Sequence, residues 1–137
     1  MVPFVKSGRW NSGEARPLST LGAGWHVMAQ GFAWEATDLG RSAATARSAW
    51  DLARRAIVSG DFDLIVPDGA TYPINWARME EADVFAVISR RPAKANVIIT
   101  GRDAPANLVA VANTVSEMST LRHTLDAGIG AELGMDL

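Results

Sequence analysis

Residues 62–69 read FDLIVPDG, an apolar run that is interrupted only by Asp63 and is followed by Pro67-Asp68-Gly69. A continuous apolar run of this length is typical of a strand that is buried on both faces of a parallel sheet. The proline, aspartate and glycine have strong turn chemistry, which predicts that the strand ends before them. The stretch therefore predicts a buried strand, and the neighbouring segments extend the pattern in both directions.

Helical patterns lie on both sides of this strand. Thr37 or Asp38 caps a predicted helix that runs to about Ser59, and Gly60 is placed to end it in a left-handed conformation. A second helix is predicted from about Met79 to Arg90, with acidic residues in its first turns and arginines at its end. The first helix has one apolar stripe at spacings of four, three and four, formed by Ala46, Trp50, Ala53 and Ile57.

Other strands alternate with these helices. The predicted strands are Met1 to Val5, Trp25 to Ala29, Asn96 to Thr100 and Thr114 to Met118. Lys6 to Gly24 reads as a long loop, and Asp103 caps a predicted short helix with Pro105 in its first turn. The alternation predicts an α/β fold with a mostly parallel sheet and helices on both faces, in a single domain over residues 1–137.

Composition limits the classes of function. The chain has 137 residues, 48% of them apolar and 20% charged, with a net charge of -2. This charge offers no electrostatic attraction to nucleic acid or to an anionic membrane. The longest uncharged stretch, Pro17 to Trp34, contains His26 and several glycines and is therefore not a membrane span. The chain has no cysteine and no signal-peptide pattern at Met1, and we expect a cytoplasmic protein.

Candidate binding residues collect where the predicted strands end. Ligands of parallel α/β proteins bind at the carboxyl ends of strands. These ends carry Lys6, the loop through Phe32 and Trp34, Asp68, and Arg102. Their convergence predicts a small-molecule site.

Two aromatic residues stand two positions apart in residues 31–37, GFAWEAT. In an extended segment, residues two apart point to the same side, so Phe32 and Trp34 form one flat apolar wall. The alternative is a pair of core aromatics that fastens a loop to the following helix.

Motifs along the whole chain resemble those of the ATP:corrinoid adenosyltransferases of the CobA/CobO/BtuR type. The aromatic stretch is similar to the family motif Gly-Phe-Thr-Trp-Glu-Thr, with Ala33 in place of the threonine. Other matching positions include Phe4-Val5-Lys6, Trp10, Gly13-Glu14, Trp50, Asp63 to Asp68, Arg91-Pro92, Val97 to Arg102, Thr114 to Glu117, His123 and Asp126 to Gly128.

The resemblance implies an activity in cobalamin biosynthesis or salvage and a set of site residues. Family members transfer the 5′-deoxyadenosyl group of ATP to Co(I) of a corrinoid and release triphosphate, and dimers are expected. Phe32 and Trp34 are implied to displace the lower axial ligand of Co(II), which makes the cobalt easier to reduce. Asp68 is the implied magnesium ligand. The implied corrinoid or nucleotide contacts are Lys6, Trp10, Glu35, Arg102 and His123.

The chain departs from the family in its ATP half. The family fold is P-loop NTPase-like, or RecA-like, and starts with a strand, a Gly-x-Gly-Lys-Gly-Lys-Thr loop and a helix. No glycine-rich Gly-Lys-Thr or Gly-Lys-Ser loop occurs in the 137 residues, and Gly69 stands where the family has a glutamate after Asp68. We therefore expect an N-terminally truncated domain that is inactive alone and whose sheet is rearranged, completed by a second chain or marginally stable.

Several alternatives stay open at this point. The chain is part of an active transferase, a corrinoid-binding module without catalysis, or a degenerate remnant with no ligand. Each candidate residue also has a structural interpretation. Asp68 is then a turn residue, and Lys6 and Arg102 are solvated cations. Trp10 is then a loop anchor, and His123 is a hydrogen-bonded structural histidine. The residue types favour the structural interpretation at Asp68, Lys6, Trp10 and His123, and they favour neither interpretation at Arg102.

Overall fold

The computed structural model describes residues 1–5, 13–27 and 39–130. The helices are α1 (Ala15–Thr20), α2 (Leu39–Ser59), α3 (Thr71–Asn75), α4 (Glu81–Ser89) and α5 (Ala106–Val111), with a 3-10 turn at Leu125–Ala127. The strands are β1 (Val2–Pro3), β2 (Leu64–Ile65), β3 (Pro67–Asp68) and β4 (Asn96–Val97). Within these described ranges, none of the helices is long and apolar enough to cross a membrane.

Both strand pairs in the described part of the chain are parallel, which agrees with the predicted α/β class. β1 pairs with β3, and β2 pairs with β4. Because β2 and β3 follow each other along one stretch of chain, that stretch lies between β1 and β4. Backbone hydrogen bonds continue beyond the assigned strands, since the N–H of Ile98 donates to the carbonyl of Ile65 at 3.0 Å. The N–H of Thr100 similarly donates to the carbonyl of Pro67 at 3.3 Å.

Helix α2 contributes more residues to the described core than any other element. Its predicted stripe is buried, and Ala53 and Ile57 are fully inaccessible to solvent. The indole N–H of Trp50 donates to a carboxylate oxygen of Asp83 at 2.6 Å, which joins α2 to α4. Gly60 follows the helix with φ +72°, in agreement with the predicted left-handed end. The helical period of the sequence is thus reproduced by the packing of α2.

The prediction of a strand buried on both faces was wrong. Ile65 is 3% exposed, but Leu64 is 54% and Ile98 51% exposed. Side chains alternate between the two faces of a strand, so one face packs on α2 and the other lies open. An apolar run indicates that both faces are apolar, but it does not show that both are covered. Within the described residues, the side chains of Leu64 and Ile98 on the second face are solvent-exposed.

Two predictions about turns and loops also differ from the structure. The strand continues through Pro67 and Asp68, because Pro67 lies where β3 pairs with β1 and the turn begins only at Gly69. Part of the predicted loop Lys6 to Gly24 forms α1, in which Pro17 occupies the first turn, where no N–H bond is required.

The remaining corrections concern short elements. Trp25–Val27 form no strand, and α3, a five-residue helix after Gly69, was not predicted. Helix α5 is preceded by Pro105 as its N-cap residue, with no side-chain cap from Asp103. Residues 114–118 form no strand in the structure and are exposed, with Met118 96% accessible. Short apolar runs become strands only where a neighbouring strand satisfies their backbone groups.

Candidate functional site

Polar side chains join the carboxyl ends of β3 and β4. The hydroxyl of Thr100 donates to Oδ1 of Asp68 at 2.8 Å. The same hydroxyl oxygen accepts the backbone N–H of Gly69 at 2.9 Å. Asp68 and Thr100 are both half-buried. These two bonds fix the Asp68 carboxylate relative to the end of the neighbouring strand.

A second set of bonds holds the loop that follows β4. The buried hydroxyl of Thr71 donates to the carbonyl of Arg102 at 2.7 Å. The side-chain amide of Asn75 donates to the same carbonyl at 3.2 Å and to that of Asp103 at 2.9 Å. Asp103 has φ +52°, and the bond from Asn75 holds its carbonyl in this left-handed conformation. Helix α3 therefore anchors the loop that carries Arg102.

Glycines allow these loops to approach closely. Gly101 has φ +143°, and a Cβ atom there would overlap the hydroxyl oxygen of Thr71. Gly69 has φ +72°, and a Cβ atom there would lie 2.9 Å from a methyl group of Val5. Both positions favour glycine because L side chains rarely adopt these backbone angles. The predicted Gly101-Arg102 strand end is thus a tight turn packed on α3.

Asp68 fits as one ligand of a hard cation. Its Oδ1 is held by Thr100, and among the described residues no hydrogen bond to Oδ2 is found. Magnesium is commonly bound through one or two carboxylates together with substrate phosphates and water. No group of three or more histidine, cysteine, aspartate or glutamate side chains suited to a metal occurs in residues 1–5, 13–27 and 39–130. The described residues would therefore supply few of the ligands of a cation at Asp68.

Arg102 and His123 occupy different environments. The Arg102 side chain is exposed, while its carbonyl is held by Thr71, so the guanidinium extends from a fixed backbone position at the strand ends. His123 is also exposed, and its Nδ1 accepts the N–H of Leu125 at 3.1 Å. This bond is local and joins the His123 ring to the first residue of the 3-10 turn. The structure brings Asp68 and Arg102 to one edge of the sheet, and no described contact joins His123 to them.

The other predicted site residues lie outside the described residues. These are Lys6, Trp10, Phe32, Trp34 and Glu35. The end of β1 does reach the site, because the N–H of Phe4 donates to the carbonyl of Asp68 at 2.8 Å. The last described residues of this segment, Phe4 and Val5, therefore lie next to Asp68 and Gly69.

Sequence reasoning missed the residues that hold this site together. Thr71, Asn75 and Thr100 make its connecting hydrogen bonds, and none was singled out. The available signal was position, because Thr100 is the last residue of a predicted strand and directly precedes Gly101-Arg102. A hydroxyl at the carboxyl end of a parallel strand is well placed to bond a neighbouring strand end.

A separate cavity of about 410 Å³ lies between α4 and α5. It is lined by Glu81, Ala82, Phe85, Asn107, Ala110 and Val111. The lining is mainly apolar and includes none of the predicted site residues. This cavity is therefore distinct from the polar cluster at the strand ends.

The fold and the polar cluster define a parallel α/β protein whose polar residues collect at the carboxyl edge of its sheet. The family described as ATP:corrinoid adenosyltransferase BtuR/CobO/CobP matches residues 1–137. The chain therefore belongs to the CobA/CobO/BtuR family.

Named relatives agree with this assignment. The corrinoid adenosyltransferase of Escherichia coli (strain K12) is 33% identical over 136 residues, which cover 99% of this chain and 69% of the relative. The corrinoid adenosyltransferase of Pseudomonas aeruginosa is 38% identical over 138 residues, covering 99% of this chain and 68% of the relative. Corrinoid adenosyltransferase CobA of Salmonella typhimurium is 33% identical over 136 residues, with coverages of 99% and 69%.

Proposed function

We propose that this chain supplies the corrinoid-binding part of an ATP:corrinoid adenosyltransferase. The observation that supports the proposal is the family match over residues 1–137, together with a polar cluster at the strand ends that contains Asp68 and Arg102. In the proposed reaction, the electron pair of Co(I) forms a bond to the ribose C5′ of ATP. The bond from C5′ to the phosphate oxygen breaks, and triphosphate leaves with its electrons.

The residues divide into two proposed roles. Phe32 and Trp34 present an apolar surface that offers cobalt no lone pair and excludes water, which favours Co(II) without its lower axial ligand. Arg102, exposed at the strand ends, contacts a phosphate or a corrinoid side chain. Asp68 holds a magnesium ion whose chemistry is the neutralisation of phosphate charge. Lys6, at the continuation of β1, faces the nucleotide.

The ATP side of this reaction requires phosphate-binding groups in addition to those described above. No glycine-rich Gly-Lys-Thr or Gly-Lys-Ser loop occurs in the 137 residues, and we propose that the chain alone does not catalyse the transfer. The alternative function is a corrinoid-binding module without catalysis, which requires Phe32 and Trp34 but no phosphate loop. A remnant that binds neither substrate is the third outcome.

One titration distinguishes these functions. Co(II)-cobalamin is added to the 137-residue chain with and without Mg-ATP, and absorbance and electron paramagnetic resonance report the coordination of cobalt. We expect binding that does not depend on ATP and is lost in Phe32→Ala and Trp34→Ala. Phe85→Ala is the matched control, because Phe85 is an exposed aromatic residue in the separate α4–α5 cavity.

The other outcomes have defined meanings. A four-coordinate Co(II) signal that forms only with Mg-ATP would establish a working nucleotide site and contradict the proposed inactivity of the chain. Binding that survives both aromatic substitutions would contradict the role of the aromatic pair. Absence of binding would leave the family relationship as ancestry without the function.

We further propose that a second chain completes the sheet at β4. The N–H groups of Asn96, Ile98 and Thr100 donate to the preceding strand stretch, so those of Val97 and Ile99 point to the opposite edge. Within the described ranges, β4 pairs only with β2. The segment from Asn96 to Thr100 contains no charge and no proline, the features by which edge strands avoid pairing.

In the purified chain, the available partner is a second copy. A two-fold axis through Ile98 sets the outward N–H groups of each copy opposite the carbonyls of the other. Ile98→Lys should therefore shift a dimer to monomer in analytical ultracentrifugation, whereas Leu121→Lys, at a position 98% exposed, should not. A monomeric wild-type chain that melts cooperatively at high temperature would refute the completion of the sheet by a second chain.

A further inference from the structure

Thr100 has a hydroxyl whose direction is fixed by its neighbours. A hydroxyl carries one hydrogen and two lone pairs. Because the Gly69 N–H occupies a lone pair at 2.9 Å, the single hydrogen of Thr100 is available for Oδ1 of Asp68 at 2.8 Å. The hydroxyl therefore accepts from the Gly69 amide and donates to the Asp68 carboxylate.

The backbone of Thr100 is also held in place. Its N–H donates to the carbonyl of Pro67 at 3.3 Å, and its carbonyl accepts the N–H of Thr71 at 3.5 Å. The branched Cβ of threonine restricts its first side-chain torsion angle. The Thr100 hydroxyl is thus held in place before a ligand binds, so binding does not have to order the hydrogen bond to Asp68.

The bond leaves the second oxygen of Asp68 for a ligand. Asp68 is half-buried at the carboxyl end of β3, and no described residue donates to its Oδ2. We propose that Thr100 is a positioning residue, which holds Oδ1 of Asp68 so that Oδ2 is presented to a divalent cation bound to a polyphosphate. This inference rests on the proposed function, because that function supplies the polyphosphate.

Thr71 provides the contrast within the same cluster. Its hydroxyl donates to the backbone carbonyl of Arg102, and among the described residues it makes no hydrogen bond to a carboxylate. Thr71 is 2% exposed, so its hydroxyl satisfies a buried backbone group. Loss of the Thr71 hydroxyl should lower stability, whereas loss of the Thr100 hydroxyl should also change the binding of a cation at Asp68.

The test measures binding of Mn²⁺ with inorganic tripolyphosphate to the full 137-residue chain. Electron paramagnetic resonance of free Mn²⁺ gives the affinity, and circular dichroism melts verify folding. Thr100→Val should weaken binding by about 10-fold or more, as loss of a hydrogen bond to a metal ligand typically does. Thr100→Ser keeps the hydroxyl and should restore binding to within about 2-fold of wild type, by the same reasoning. Asp68→Asn should weaken binding at least as much, and Thr120→Val, at an exposed threonine outside the site, is the control.

Several results would overturn the inference. Wild-type Mn²⁺ affinity in folded Thr100→Val, or equal weakening by Thr100→Ser, would show that the hydroxyl does not position Asp68. Unchanged affinity in Asp68→Asn, or no binding by the wild-type chain, would remove Asp68 as a ligand. If Thr100→Val does not fold, Thr100→Ala replaces it, because alanine places no methyl group against the carboxylate. The cobalt titration tests corrinoid binding independently, so failure of either hypothesis is distinguishable.

Discussion

Substitution of Gly101 by alanine tests the packing of the candidate site on α3. Gly101 has φ +143°, a conformation that costs a non-glycine residue about 1–3 kcal/mol. The new Cβ would overlap the Thr71 hydroxyl oxygen and lie 3.0 Å from the Thr71 Cβ atom. Thr71 must then move and release the carbonyl of Arg102, which leaves a buried hydroxyl without its partner at a further cost of about 1–3 kcal/mol. We expect a total loss of about 2–6 kcal/mol in the free energy of unfolding.

The assay is guanidinium unfolding followed by circular dichroism, with the free energy of unfolding extrapolated to water. Gly60→Ala is the matched control, because Gly60 also has positive φ, at +72°, but its nearest neighbour to a new Cβ is 3.8 Å away. That control should lose about 1 kcal/mol from backbone strain alone. Thr71→Ala combined with Gly101→Ala should cost less than the sum of the two changes, because the overlap is removed. Equal costs for Gly101→Ala and Gly60→Ala would refute the contact with Thr71.

Two further predictions concern the core around α2. Trp50→Phe removes the indole donor to Asp83 and should cost about 2 kcal/mol in the free energy of unfolding, whereas Asp83→Asn keeps an acceptor and should cost less. Equal losses in the two variants would argue against this bond as the source of the effect. Ile57→Ala should cost about 2–5 kcal/mol because Ile57 is fully buried, whereas Val58→Ala, at a position 48% exposed, should change stability by less than about 0.5 kcal/mol in the same denaturation assay. Similar losses at both positions would contradict the assigned inner face of α2.

Long periodic elements were predictable from the sequence. The stripe from Ala46 to Ile57 repeats at helical spacing over several turns, and its buried face and the left-handed Gly60 were confirmed. The hydrophobic period and the terminal glycine of a helix depend only on residues close together in the chain. Both features can therefore be recognised from the sequence alone. The parallel class was likewise predictable, because strands separated by helices can pair in parallel through crossover connections.

Elements that depend on distant partners were less predictable. The stretch around Thr114 to Met118 has strand-like residues, but a strand forms only with a neighbour that accepts its hydrogen bonds. The exposure of Leu64 depends on what covers the sheet, which an apolar pattern does not encode. In the candidate site, Asp68 and Arg102 were predicted from their position after strands. The supporting Thr71 and Thr100 were missed because their importance arises from hydrogen bonds between residues about thirty positions apart.

Pro67 lies near the carboxyl end of the sheet, directly before Asp68, whose side chain is bonded to Thr100. The carbonyl of Pro67 accepts the N–H of Thr100. Because the ring nitrogen of Pro67 carries no hydrogen, it cannot donate a backbone hydrogen bond to β4 just before Asp68. The side-chain bond from Thr100 to Asp68 therefore adds a second connection between the strand ends, beside the backbone bond from Thr100 to Pro67. A change in the bonding of the Asp68 carboxylate therefore alters one of the connections between the two strand ends. The rate of amide hydrogen exchange at Gly69 should consequently report whether the Thr100 hydroxyl remains bonded to Gly69.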